Sequence, residues 1–499
     1  MKIKIQMMLS VGLCVVSQAE DWVIDSNKDW SDALAYQTGI EIKEGLAALK
    51  EDRATYLSIV HKFDSKRKIQ SLTIKQSDKW LNWRAIDKVQ PKNLRDAPVF
   101  LVRGDKDYWI FGRMAPMPKH GKGSSATAFE AKPAKLKGFD IPLLTTRYEN
   151  QYDAPGGLNK SLGGYHAWQS RDMIHWVHHG PVTEGFSRWV TTAELVDGKA
   201  YIYYDFPNDQ DPHLYIDEDL FDGKPGKNMG MALNDPSHGS DCAVIRGLDG
   251  RFHIIFEDWS PINARKHSWD SPLAGHAVGR KGYNDFEIVE PAVDARTRGT
   301  GKMETYLHPH WVKEDPKRFK TNVAEYEVHE PEQDAFGDWA AIAIGGQYYL
   351  FADFHPANDK IRIGWFTSES IDKPFEFCGE IGSGHPDPDI GFAEGSFYLL
   401  NQTAKDYISS GPWVNQVEAR VGADTDGDGK VDKWTDWQLM SESYERIQGF
   451  SKQVKRNPSL LNASGLPEAE GVAFELKLCD MEGNVAKPEL DKVTLKFTK

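Results

Sequence analysis

The sequence predicts an all-β chain: a five-bladed β-propeller, residues 91–408, flanked by segments 20–90 and 409–499 that combine into one accessory β-sandwich. Three observations carry this. Five stretches share one design: Asp96-APVFLVRGDKDYWIF, Thr191-TAELVDGKAYIYY, Asp241-CAVIRGLDGRFHIIF, Asp338-WAAIAIGGQYYLF and Asp387-PDIGFAEGSFYLL. Each reads as an apolar strand, a tight turn and an aromatic strand, which is a β-hairpin. A hairpin unit repeated in an all-β context implies blades around a central channel. The terminal segments lack the unit but alternate apolar and polar residues with period two, as in ATYLSIVHKF, IQSLTIKQ, VNQVEARVGA, GVAFELKLCD and LDKVTLKFTK. Each is too short for a sandwich alone, so the two together supply one.

Taken in order, residues 1–19 read as a secretory signal. Lys2 and Lys4 precede the apolar MMLSVGLCVV, and Ser17-Gln18-Ala19 resembles a cleavage site. The stretch is too short to span a bilayer, and no other reaches the ~18 apolar residues that a span needs. The expectation is a secreted or periplasmic protein. Beyond the signal the Cys residues are Cys242, Cys378 and Cys479, too sparse for a disulfide framework. Within the propeller, 168–180, 365–377 and 276–288 read as outer blade strands. The stretches 114–160, 205–240, 259–275 and 291–337 read as long insertions that wall a pocket.

The net charge of −14 argues against nucleic acid or an anionic membrane surface as partner. The abundance of Trp, Tyr and Phe leaves aromatics to line a sugar site after the core is filled. The chemistry points the same way. Four of the five units open with Asp, and apolar strand residues follow at once. Carboxylates at equivalent positions of a propeller converge at one end of the channel. There they are partly desolvated, which raises the pKa and suits acid or base duty. Paired carboxylates are what glycoside hydrolysis requires.

These residues resemble the five-bladed propeller glycosidases, chiefly glycoside hydrolase families 43 and 117, or a separate related family. The resemblance covers roughly residues 90–405. In family 43 an Asp of a "DP" motif is the general base, a second Asp opening the third blade orients substrate, and a Glu of an "EGP" motif is the acid. Asp96 in RDAP matches the base and Asp241 in SDCAVIRG the second acid, while Asp338 in GDWAAIAIGGQYYLF stands where the acid would be. In family 117 the acid is a His of a "GH" motif, and Asp338 matches neither family's residue. The resemblance implies an inverting mechanism with Asp96 as base, Asp338 as acid and Asp241 on the sugar hydroxyls. Glu332 and Glu330 are the alternatives for acid. The long loops favour a closed pocket and exo action, and the likeness to family 117 implies release of a terminal sugar such as 3,6-anhydrogalactose from red-algal galactan fragments. Arabinofuranosidase or xylosidase activity is the alternative, and a non-catalytic carbohydrate-binding propeller the competing class.

Further substrate-binding candidates are His166, Trp168, Arg188, Trp189, Glu194, His310, Glu332, His385 and Asp387. Trp and His stack on and hydrogen-bond to sugars, and Arg pairs with sulfate or carboxylate. The run Asp424, Asp426, Asp428, Lys430, Asp432 places oxygen ligands at alternate positions around Gly turns, as Ca2+ requires. It resembles EF-hand, dockerin and thrombospondin type 3 loops, with Thr435 in place of the twelfth-position Glu. A structural Ca2+ and no catalytic cofactor are expected. A propeller–sandwich edge could support a homodimer.

Overall fold

The computed structural model describes residues 21–114, 164–184, 188–206, 211–234, 241–258, 271, 273–294, 297, 334–356, 359–413, 416–480 and 487–498, except Lys79 and Leu81, together with short strands between 129 and 153. They fall into two compact units. One holds residues 79–412 and 443–457; the other holds 1–78, 413–442 and 458–499.

The first unit is a five-bladed propeller. Blade one is Leu94–Gly104, Asp107–Met114, Tyr165–Ser170 and Trp176–Pro181, extended at its outer edge by Gln151–Asp153 and two shorter strands. Blade two is Trp189–Val196, Lys199–Asp205, Pro212–Asp217 and Lys227–Met231. Blade three is Ala243–Arg246, Phe252–Glu257, Ala274–Gly279 and Glu287–Ile288. Blade four is Ala335–Ile344, Gln347–His355, Arg362–Ser368 and Glu376–Ile381. Blade five takes Asp389–Ala393, Ser396–Leu400 and Lys405–Ser409, and its fourth strand is Arg84–Asp87, from the chain's entry into the unit. All five predicted hairpins are the first two strands of a blade. The period-two alternation explains the packing: one face of each sheet meets the blade before it and the other the blade after it. Ile245, Ile255 and Ala274 of blade three thus pack with Phe336, Ala341 and Phe354 of blade four.

Three boundaries differ from expectation. Residues 84–87 belong to the propeller, not the sandwich, because a ring of blades leaves an open edge until its last sheet borrows a strand. The stretch 205–240 is not a plain insertion, since it carries the third and fourth strands of blade two. Residues 443–457 also leave the C-terminal segment and fill one end of the channel. Ser451 Oγ accepts from Val102 N of blade one at 2.9 Å, and Ser451 N donates to Glu194 of blade two at 2.8 Å. Gln453 Nε2 donates to the Arg246 carbonyl of blade three at 2.8 Å. Gln453–Asn457 begins parallel to the inner strand of blade four. Lys452 Nζ bonds Thr192 Oγ1 at 2.7 Å and lies 3.6 Å from Asp389 of blade five. Only the channel axis lets one short segment reach all five inner strands.

The second unit is a sandwich built from both chain ends, as expected. Its long strand His61–Gln76 serves two sheets. The early part pairs with Ala469–Cys479, and the later part pairs with Glu489–Thr498 and Ser459–Asn462. Arg53–Ser58 and Val417–Asp424 flank Ala469–Cys479. Among the described residues, no helix is long and apolar enough to cross a membrane.

Candidate active site

The four blade-opening acids share one backbone conformation. Asp96, Asp241, Asp338 and Asp387 have φ of 71°, 50°, 51° and 40°. This left-handed region is disfavoured for side-chain-bearing residues and least so for Asp and Asn. It is why Asp recurs there. In blades one and four the acid sits in a bulge, where the ladder skips between Arg95 and Val99 and between Gly337 and Ala340. Thr191 takes the place in blade two, beside the skip between Val190 and Thr192. A bulge re-aims its side chain. Here it turns the carboxylates onto the channel end opposite the 443–457 plug.

A second polar ring supports the first. The seventh position of each aromatic strand, counted from Asp107, Lys199, Arg251, Gln347 and Ser396, holds Arg113, Asp205, Glu257, Asp353 and Gln402. Arg113 Nε lies 3.2 Å from Asp96 Oδ2. Asp205 accepts from Asp241 N at 2.8 Å, Glu257 from Asp338 N at 3.2 Å, and Asp353 from Asp387 N at 2.8 Å. Gln402 Nε2 donates to Asp387 Oδ2 at 2.6 Å. Three supports reach forward to the next blade's acid, tying the ring around the channel. Sequence reading missed all five. The signal was present as a polar residue at one fixed offset along or just past each aromatic strand.

The electrostatics divide the acids. Asp96 faces the Arg113 guanidinium. Arg113 also lies 3.4 Å from the Trp189 ring centroid and 5.6 Å from that of Tyr165. Asp338 stands among acids. Burial first, then the charges of Asp387, Asp241, Asp353 and Glu257, push its carboxyl well above the usual range. Tyr165, fully buried and near Asp96, Asp387 and Asp241, is held neutral, chiefly by burial. Asp338, Asp353, His385 and Asp387 place donor atoms within 4.8 Å of one another, a set that could also hold a hard cation. His385 Nδ1 lies 2.6 Å from Asp387 and 3.0 Å from Asp353.

Of the predicted residues, the ring therefore brings together Asp96, Asp241, Asp338, His385 and Asp387, with Trp189 joined through Arg113. Four others lie elsewhere. Trp168 is fully buried in the core between blades one and five and stacks on His178, so it offers no sugar platform. His166 is fully buried, with Nδ1 2.9 Å from His178 Nε2. Glu194 has both oxygens on backbone N–H groups, those of Leu195 and Ser451 at 2.8 Å and Arg246 at 3.2 Å, in the plugged end. An acid on an apolar strand reads alike whether it faces substrate or caps backbone donors, and sequence could not separate the two. Arg188 pairs with Glu184 at 3.4 Å and covers Phe206. His310 and Glu332 lie outside the described residues.

In the sandwich, the acidic loop joins Val417–Asp424 to Lys433–Trp434. Buried Asp424 accepts from Gly427 N at 2.7 Å and Gly429 N at 2.9 Å, and oxygens of Asp424, Asp426 and Asp432 lie within 4.8 Å of one another. Gly427 and Gly429 have φ of 77° and 86°, which only glycine adopts readily. Asp428 accepts from Lys430 N at 2.8 Å, and the Lys430 ammonium lies outward, 3.8 Å from Asp428. The oxygen donors suit Ca2+.

No protein-family profile and no curated protein matches the sequence. Solved structures similar to this chain include a thermostable family-43 glycoside hydrolase, at 11% identity over 64% of this chain and 88% of that one, with TM-score 0.37. An exo-β-1,3-galactanase from Phanerochaete chrysosporium shares 10% identity over 85% and 100%, with TM-score 0.36. CoXyl43, a family-43 β-xylosidase/α-arabinofuranosidase from a compost metagenome, shares 12% over 70% and 98%, with TM-score 0.39. At such similarity the chemistry must come from this chain's own side chains.

Proposed function

We propose that the protein is an exo-acting, inverting glycoside hydrolase, exported by residues 1–19, that releases a terminal sugar such as 3,6-anhydrogalactose from algal galactan oligosaccharides. The observation that carries this is the unequal environment of two acids on one ring. Burial and like charge push the Asp338 carboxyl well above the usual range, while Asp96 faces the Arg113 guanidinium. Acid and base roles follow from such a split. Asp338 donates its proton to the glycosidic oxygen as that bond breaks. Asp96 takes a proton from a water that attacks the anomeric carbon from the opposite face. Asp241 holds sugar hydroxyls, and Trp189 with Arg113 forms a flat wall. The plug at the other channel end supports a pocket open on one side, and hence exo action.

The test is sugar release from algal and plant oligosaccharides. Wild type is expected to release a monosaccharide, with Asp96→Asn and Asp338→Asn each about 10²–10⁴-fold slower. Full activity in either variant sinks that residue's role. Binding without release by wild type favours a lectin-like propeller. The cation-type set at Asp338, Asp353, His385 and Asp387 supports a second reading, in which Asp338 is a ligand rather than the acid. Loss of release on chelation, restored by a divalent ion, would select it. We also propose a structural Ca2+ in the 424–432 loop.

A further inference from the structure

Blade three carries two buried imidazoles that the proposed chemistry does not use. His253 and His276 are each 1% exposed. His253 lies in the same strand as Glu257, four residues or about 13 Å away, toward the end of the channel that the Asp ring does not occupy. Alternation places it on the face of Ile255 and places His276 on the face of Ala274. Both of those residues pack against blade four, in a core that includes Ile371 and Phe375. Asp372 lies between these two, on the exposed turn linking the third and fourth strands of blade four. Nitrogen, nitrogen and carboxylate oxygen thus meet where the blades join.

The geometry is that of a ligand set. His253 Nδ1 lies 3.0 Å from His276 Nε2 and 4.0 Å from Asp372 Oδ1, and donor atoms of the three lie within 4.8 Å of one another. Two nitrogens on one Zn2+ are separated by about 3.3 Å. His276 also hydrogen-bonds the Glu290 backbone carbonyl. An outer hydrogen-bond partner of this kind orients a ligating imidazole. Burial, first among the causes, lowers His253 to about 4 and His276 to about 3. The neutral imidazole, which burial favours, is the form that ligates. Arg251 Nη2 holds Asp372 Oδ2 at 3.3 Å, leaving Oδ1 toward the His pair. Its charge is offset by Asp249, 2.6 Å from Nε, so the surrounding charge is net negative.

We propose that His253, His276 and Asp372 form a binding site for a borderline divalent transition ion of the Zn2+ class, clamping blade four to blade three. The donor set of two imidazoles and a carboxylate suits that class and not Ca2+. Blade one offers an internal control. His166 and His178 are 2.9 Å apart and equally buried, but among the described residues no carboxylate completes a three-donor group with them.

The experiment is equilibrium dialysis of the chelator-stripped full chain against Zn2+, with bound metal counted in wild type, Asp372→Asn, His276→Gln and His385→Ala. Wild type is expected to hold about one equivalent that Asp372→Asn and His276→Gln lose and His385→Ala keeps. Co2+ in the wild type should give the visible bands of a low-symmetry site, absent in the same two variants. Asp372 is on an exposed turn, so Asp372→Asn should keep the native circular dichroism and sugar release even where His276→Gln does not fold. Bound Zn2+ equal in wild type and Asp372→Asn overturns the proposal. So does loss of the ion in His385→Ala alone, which places it on the ring cluster.

Discussion

The two ends of the propeller channel are both lined with acids, and they treat them oppositely. At the plugged end, Glu194 and Asp389 are fully buried yet supplied. Each accepts backbone N–H groups, and the Lys452 ammonium, 1% exposed, lies between the strands that carry them. At the ring end, burial and the charges of Asp387, Asp241, Asp353 and Glu257 push the Asp338 carboxyl well above the usual range, while the Arg113 guanidinium faces Asp96. Residue type is the same at both ends; what differs is the counter-charge. The supplied carboxylates join blades, and Asp338, with like charges beside it, is the one proposed as the acid.

Removing the counter-charge at the plugged end should have the largest effect. Lys452→Met leaves Asp389 and Glu194 buried without their cation, at a cost of about 3–5 kcal/mol in unfolding free energy. Chemical denaturation at neutral pH measures it. Burial already raises the carboxyls of Glu194 and Asp389, so the loss should shrink as pH falls and they take up protons. A variant as stable as wild type at pH 7 would mean that the plug is not held by charge. The same reasoning forbids cutting the chain after residue 412, because the propeller would lose its plug.

The sandwich loop is a third solution, with acids supplied by backbone donors and, as proposed, by Ca2+. Its removal should cost less. Ca2+ at about a hundredfold over its dissociation constant adds about 2.7 kcal/mol. Chelation should lower the thermal midpoint by roughly 5–10 °C, and Asp424→Ala should abolish the Ca2+ response while sugar release persists. An unchanged midpoint would leave the loop as an ordinary hairpin turn.

How much of this was legible follows the same line. The hairpins and the opening acids could be read because strand alternation and a left-handed Asp are local. The strands 212–217 and 227–231 were hidden, because outer strands tolerate polar residues and lack the aromatic signature. The plug was illegible for a deeper reason. Ser451-Lys452-Gln453 owes its place to partners in all five blades, up to 349 residues away in sequence, and no local pattern encodes that. Likewise Glu194 and Asp338 read alike until the tertiary fold supplies one with donors and the other with acids.

The most discriminating test of that contrast is the smallest in effect. Asp387 is the first of the charges, after burial, that raise Asp338. Asp387→Asn removes the charge but keeps a side chain able to bond Gln402 and His385. With less like charge nearby, Asp338 should release its proton at lower pH. An acid works while protonated, so the alkaline limb of kcat/KM against pH should move to lower pH, with the acidic limb unmoved. Stability should move in the complementary sense. A carboxyl raised by folding contributes most below its unfolded pKa, and that contribution is lost as pH rises through the folded value. Asp338→Asn, about 10²–10⁴-fold slower, should therefore be more stable than wild type at neutral pH, with the difference vanishing in acid. An alkaline limb indifferent to Asp387→Asn would remove Asp338 from the acid's role and leave the ring, like the plugged end, a device of structure.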